Sequence, residues 1–186
     1  TGDLDDDVAR LKAIRQARPD AWLGVDANQG YEIAELPRLL PELEAVGVRL
    51  LEQPLRRGRE SDLDGFESPI PMAADESALT LADTEHLRGR FDVVNIKLDK
   101  CGGLTEGLAI ARRAKALGLD VMVGNMMGTS LSMAPSYLVG QLCQIVDLDG
   151  PTFLQNDRSP SVKYAAGRIT CPPQIWGHPA TLSQAG

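Results

Sequence analysis

The chain has 186 residues, 43% of them apolar and 24% charged, the make-up of an ordinary folded domain with one sizeable core. Its net charge of -7 argues against nucleic-acid binding, which calls for a basic face. No apolar run approaches the ~18 residues of a membrane span, and the acidic opening Thr1-Gly2-Asp3-Leu4-Asp5-Asp6-Asp7 has no signal-peptide character.

In chain order, Leu4, Val8, Leu11 and Ile14 repeat at helical spacing between charges and predict a helix over 3–18. Leu23–Asp26 reads as a short buried strand, followed by the loop Asn28-Gln29-Gly30. Ile33–Val46 reads as a helix with Pro37 in its first turns and Gly47 at its end. Val48–Glu52 is the next strand. The charged, glycine-containing stretch 56–69 holds only a short helical piece. Met72–Asp75 is a strand, Leu81–Leu87 a helix closing near Gly89, and Phe91–Leu98 the clearest strand of all. Gly102-Gly103 makes a turn before a helix over Thr105–Leu117. Val121–Gly124 is a strand, Ser130–Leu142 a helix interrupted by Pro135, and Ile145–Leu148 a strand that ends at Asp149-Gly150-Pro151.

Six strands alternating with helices predict an α/β fold with a parallel sheet and right-handed crossovers. A complete (β/α)₈ barrel is typically about 250 residues long. Six βα units and a first helix with no strand before it therefore read as a partial (β/α)₈ TIM-like barrel over 1–150 that lacks its first two strands. Residues 151–186 are proline-rich and show no strong period, so they read as a loop-rich segment packed against the barrel. The cysteines, Cys101, Cys143 and Cys171, are odd in number and form no CxxC pair. They read as packed free thiols in a reducing, cytoplasmic setting.

Three acids close successive apolar runs: Asp26 ends Trp22-Leu23-Gly24-Val25, Glu52 ends Val48-Arg49-Leu50-Leu51, and Asp75 ends Pro71-Met72-Ala73-Ala74. The steps between them are 26 and 23 residues, and 22 residues further on comes Lys97, after Val93-Val94-Asn95-Ile96. About 25 residues is one strand, one helix and two loops, so four consecutive units set acid, acid, acid and lysine at one end of the sheet. In a (β/α) barrel that end is the active-site face. A lone acid after a strand is commonly a helix cap. Three in register supply the hard oxygen donors that Mg²⁺ takes while keeping positions for substrate.

Lys97, beside such a cation and partly desolvated, is expected to have its pKa lowered toward the range of a general base. Lys100 competes for this role, although its position suggests a loop or a pair with Asp99. Asp147 and Asp149, two apart, are expected on one side of an extended segment. They read equally well as partners of Arg or Lys, as turn formers, or as a trap for a cationic substrate group. His86, on a predicted helix, and His178, in the tail, lie away from the strand ends, and no Ser-His or Cys-His nucleophile arrangement is visible.

Together, Val25-Asp26-Ala27-Asn28-Gln29, Leu51-Glu52-Gln53-Pro54, Ala74-Asp75-Glu76-Ser77 and Asn95-Ile96-Lys97-Leu98-Asp99-Lys100 with Gly102-Gly103-Leu104 resemble the enolase superfamily in its muconate lactonizing subgroup. The resemblance runs from residue 1 to about 155. It implies Mg²⁺ on Asp26, Glu52 and Asp75, and abstraction of a proton next to a carboxylate through an enediolate, with Lys97 as one of two acid/base lysines.

Asp147-Leu148-Asp149 resembles the Asp-x-Asp with which dipeptide epimerases of the L-Ala-D/L-Glu type bind the substrate ammonium. Gly124-Asn125-Met126-Met127-Gly128-Thr129-Ser130 resembles the seventh-strand loop of that branch, which implies substrate contacts from Asn125 and Met127. The mandelate racemase subgroup would have a histidine there. The resemblance also implies a Lys-x-Lys strand and an N-terminal lid domain upstream of Thr1, neither of which occurs in this chain, and a symmetric homo-oligomer. The leading expectation is a Mg²⁺-dependent isomerase of a dipeptide. The alternatives are a cycloisomerase or o-succinylbenzoate synthase-type lyase, whose substrate has no ammonium group, and a non-catalytic barrel fragment.

Overall fold

A computed structural model describes residues 3–177. Six strands form one sheet in sequential order: β1 (Gly24–Asp26), β2 (Leu50–Glu52), β3 (Met72–Ala74), β4 (Val93–Lys97), β5 (Asp120–Gly124) and β6 (Ile145–Val146). Every neighbouring pair is parallel. The sheet curls into a half-barrel, and β1 and β6 both line an open cleft of about 670 Å³ between them.

Alternation along the strands separates two environments. Leu50, Ala73, Val93, Met122 and Ile145 pack together on the inner face. Leu51, Val94, Ile96, Val121 and Val123 point the other way and join the main core under the helices. The next inner positions after that apolar layer are Glu52, Asp75, Asn95, Gly124 and Asp147, so the barrel floor is apolar and its mouth is polar.

The helices cover the outer face: α1 (Leu4–Ala17), α2 (Leu36–Ala45), α3 (Leu81–Thr84), α4 (Leu98–Cys101), α5 (Leu104–Ala116) and α6 (Ser130–Gly140). Asp3 caps α1 by accepting from the Asp6 N–H, and Asp5, Asp6 and Asp7 place negative charge at the positive end of its dipole. Leu36, Leu39, Leu40 and Leu43 make the buried stripe of α2. At the C-terminal end of α1, Arg15 donates to the carbonyls of Val46, Arg18, Pro19, Ala21 and Gly47, tying the entries of β1 and β2 together. No helix of the described residues is long and apolar enough to cross a membrane.

Four departures from the sequence reading have local causes. The predicted helix Leu81–Leu87 is a single α-helical turn, because the N–H groups of Glu85, His86 and Leu87 reach back three residues rather than four. α6 runs through Pro135 without a break. The predicted strand Phe91–Leu98 ends at Lys97, and Leu98 instead opens the one-turn α4, closed by Gly102 at φ 92. In the tail, β7 (Lys163–Ala165) and β8 (Arg168–Thr170) form an antiparallel hairpin. Its two-residue turn has Ala166 at φ 49 and Gly167 at φ 70, the signs that match strand twist. Val162 and Ile175 from this segment are buried in the main core. His178 lies outside the described residues.

Candidate active site

Asp26 and Glu52 are register partners at the ends of β1 and β2, and Asp75 follows β3 directly. Asp26 is exposed and accepts the Asn28 N–H at 2.8 Å in a tight local turn. Glu52 is 7% exposed and Asp75 2%. Burial, and then the charge of Asp26, push the Glu52 carboxyl up to about 7, against the pull of the Asn95 hydrogen bond and of Lys97. That bond, Asn95 Nδ2 to Glu52 Oε1, is 2.6 Å long.

Lys97, at the end of β4, donates to Asp75 Oδ2 at 2.7 Å and lies 3.6 Å from Glu52 Oε1. Burial opposes its charge. The Asp75 hydrogen bond and the charges of Asp75, Glu52 and Asp26 outweigh that, so the Lys97 ammonium is held above its ordinary pKa; the lowering expected from sequence is for a lysine beside Mg²⁺. Lys100 is not a loop residue paired to Asp99. The turn of α4 carries it round to Asp75, where it donates to the same Oδ2 at 2.8 Å and lies 3.9 Å from Glu76. Asp75 therefore holds two ammonium groups on one oxygen.

These residues suit a hard cation by their donor chemistry. Asp75 Oδ1 is buried with no hydrogen-bond partner, and Glu52 is a buried acid, raised first by burial and then by Asp26, whose charge Lys97 only partly offsets. Among the described residues, no three His, Cys, Asp or Glu side chains are gathered as a metal-binding group, and the ammonium groups of Lys97 and Lys100 stand against Asp75. Asp26, Glu52 and Asp75 are the residues that would hold Mg²⁺.

Asp147 continues the inner face beyond β6, and its N–H donates to the Val123 carbonyl at 2.9 Å. Burial of its carboxyl, and then the neighbouring Asp149 charge, raise its pKa, with Lys97 acting in the opposite direction. The two acids do not lie on one extended segment as expected. The ladder stops at Val146, and Asp149 has already turned (φ -94, ψ -1) into the short helix Gly150–Phe153. Asn125 fastens this turn, accepting the Gly150 N–H on its Oδ1 at 2.8 Å. Tyr164 on β7 donates to the Leu148 carbonyl from the other side. Met127 is 71% exposed.

Two further residues of the site were not named as functional from sequence. Asn95 lies two residues before Lys97 on the same inner face, a spacing that could have identified it. Gly124 is paired in register with Lys97. A Cβ there would stand 2.8 Å from Asn95 Oδ1 and 2.9 Å from Lys97 Cε, so the lysine has its present place only because residue 124 has no side chain. His86 is exposed in the turn that follows α3.

The family described as enolase C-terminal domain-like matches residues 1–175. The chain belongs to that family. Among curated relatives, an N-acetyl-D-glutamate racemase from Pseudoalteromonas is 44% identical over 177 residues, which are 94% of this chain and 56% of the racemase. A solved enolase-family structure from Agrobacterium tumefaciens, with homology to dipeptide epimerases and with sodium and L-Ala-L-Glu bound, superposes with a TM-score of 0.87 at 43% identity. It is matched over 91% of this chain and 52% of its own. A dipeptide epimerase from Methylococcus capsulatus, complexed with Mg and L-Arg-D-Lys, has a TM-score of 0.85 at 33% identity, with 90% and 50% covered. This chain thus spans about half the length of the relatives it matches.

Proposed function

We propose that this chain carries the metal and acid/base face of a Mg²⁺-dependent dipeptide epimerase that works by exchanging a proton next to a carboxylate. The observation that carries this reading is the run of Asp26, Glu52, Asp75 and Lys97 at the ends of four adjacent parallel strands, with Asp147 close enough to feel Lys97 and Asp26.

In this reading Lys97 moves the α-proton on one face of the substrate. Held as an ammonium by Asp75, it is set to deliver a proton to the α-carbon. In the opposite direction its neutral amine takes the proton, and the electron pair moves onto the carboxylate to give an enediolate. A single lysine serves one face only, so inversion needs a second base across the substrate, the role the resemblance gives to an upstream Lys-x-Lys. Asp26, Glu52 and Asp75 would hold Mg²⁺, which when bound would supply electrostatic stabilisation of the charge that develops on the carboxylate oxygens. Asp147 and Asp149 bind the α-ammonium of the dipeptide, and Asn125 and Met127 would add substrate contacts. The free state of Cys101, Cys143 and Cys171 supports a reducing, cytoplasmic setting.

The similarity to an N-acetyl-D-glutamate racemase favours a second reading, racemisation of an N-acylated amino acid. Such a substrate has no ammonium, so the acid pair separates the two. Replacing Asp147 and Asp149 by Asn in the protein at its natural length should raise KM for L-Ala-L-Glu at least tenfold. Unchanged kinetics with the dipeptide would overturn the dipeptide reading.

A further inference from the structure

Gln53 stands between two of the acids, with its backbone at φ 38. This left-handed region is costly for any residue with a Cβ, by about 1–2 kcal/mol, and glycine is the usual solution. A glutamine there needs a compensating gain, and the side chain supplies one. Gln53 is fully buried. Its Oε1 accepts the Asp75 N–H at 2.9 Å and the Ser77 N–H at 3.1 Å. Its Nε2 donates to the Leu55 carbonyl at 2.8 Å and to Ser77 Oγ at 2.9 Å. Ser77 Oγ in turn donates to Glu60 Oε1 at 2.6 Å. Both ends of one amide are thereby used up, with acceptor and donor each serving two partners.

The backbone of Gln53 extends the same unit sideways. Its N–H donates to the Ala73 carbonyl and its carbonyl accepts the Gln29 N–H, each at 2.8 Å. Gln53 therefore links the exits of β1, β2 and β3 just where Asp26, Glu52 and Asp75 leave their strands. Its side chain touches the backbone of Asp75 while its own backbone carries Glu52.

We propose that Gln53 is a positioning residue that fixes the separation between Glu52 and Asp75, and so sets the affinity of this mouth for a divalent cation. The proposal rests on the reading of Asp26, Glu52 and Asp75 as a cation site. A residue that merely stabilised the fold would be interchangeable with any other that folds as well. Gln53 is not, because what it contributes is a register between two loops.

The test uses Gln53→Gly, which suits the left-handed backbone and removes the clamp, and Ser77→Ala, which removes one acceptor and the link to Glu60 but leaves Oε1 in place. Mg²⁺ binding by calorimetry and hydrogen exchange of the Asp75 and Ser77 amides are measured in the wild type and both variants at the protein's natural length, together with thermal unfolding. The expected result is a Gln53→Gly protein that melts lower than wild type but still unfolds cooperatively, exchanges both amides at least tenfold faster and binds Mg²⁺ at least tenfold more weakly, with Ser77→Ala between. Wild-type Mg²⁺ affinity in a folded Gln53→Gly protein would overturn the positioning role and leave the cation site standing. Absence of Mg²⁺ binding by the wild type would overturn the cation site and the positioning role with it. Should Gln53→Gly fail to fold, Ser77→Ala decides by the same two readouts, wild-type affinity and amide protection overturning the proposal.

Discussion

Glu52 makes the cost of burying an acid in this site measurable as stability. Burial and Asp26 raise its carboxyl from 4.5 to about 7. Between those pH values the folded chain holds a proton that the unfolded chain has released, so stability falls as pH rises through the window, and above it the full cost persists. At 1.36 kcal/mol per pH unit the shift corresponds to about 3 kcal/mol. Glu52→Gln removes the charge and keeps an oxygen to accept from Asn95 Nδ2. In urea denaturation at pH 8 with a chelator present, Glu52→Gln should be more stable than wild type by about 3 kcal/mol, and the difference should shrink toward zero by pH 4. Saturating Mg²⁺ should stabilise the wild type more than the variant, since only the wild type offers the third carboxylate. A variant no more stable than wild type at pH 8, or one with the same advantage at pH 4, would refute the argument that ionising the buried Glu52 carboxyl costs stability here.

Gly124→Ala should displace Lys97 and Asn95, since the new Cβ would lie 2.9 Å from one and 2.8 Å from the other. A loss of about 1–3 kcal/mol in denaturant unfolding, with a larger fall in α-proton exchange, is the expected result. Arg15→Ala should cost about 1–3 kcal/mol, because it strips a charged donor from five carbonyls at the base of the half-barrel. Cation affinity at the mouth, followed by calorimetry, should be unaffected by that change.

Much of this arrangement was legible in the order of residues. The spacing of Asp26, Glu52, Asp75 and Lys97 encodes the repeating βα unit, and strand alternation then decides which side chains face the mouth. What the sequence did not disclose depends on conformations shorter than its periodic signals. Lys100 reaches Asp75 through one turn of helix after β4, and a four-residue helix leaves no recurrent apolar pattern. The role of Gln53 rests on a left-handed backbone that composition disfavours. The hairpin at 163–170 turns on Ala166-Gly167, a weaker signal than Asn-Gly. Gly124 resembles any strand-end glycine until Lys97 is seen lying across it. The hold of Asp75 and Glu52 on the Lys97 ammonium was not legible either, because it depends on side chains from three strands meeting at one point.

The central claim is tested most directly by α-proton exchange in deuterated water, with L-Ala-L-Glu as substrate and the protein at its natural length. The account predicts Mg²⁺-dependent incorporation of deuterium at the glutamate α-carbon, abolished by a chelator and reduced by a factor of about 10²–10⁴ in Lys97→Ala. No exchange with the dipeptide alongside Mg²⁺-dependent exchange with N-acetylglutamate, or exchange that survives loss of Lys97, would contradict it.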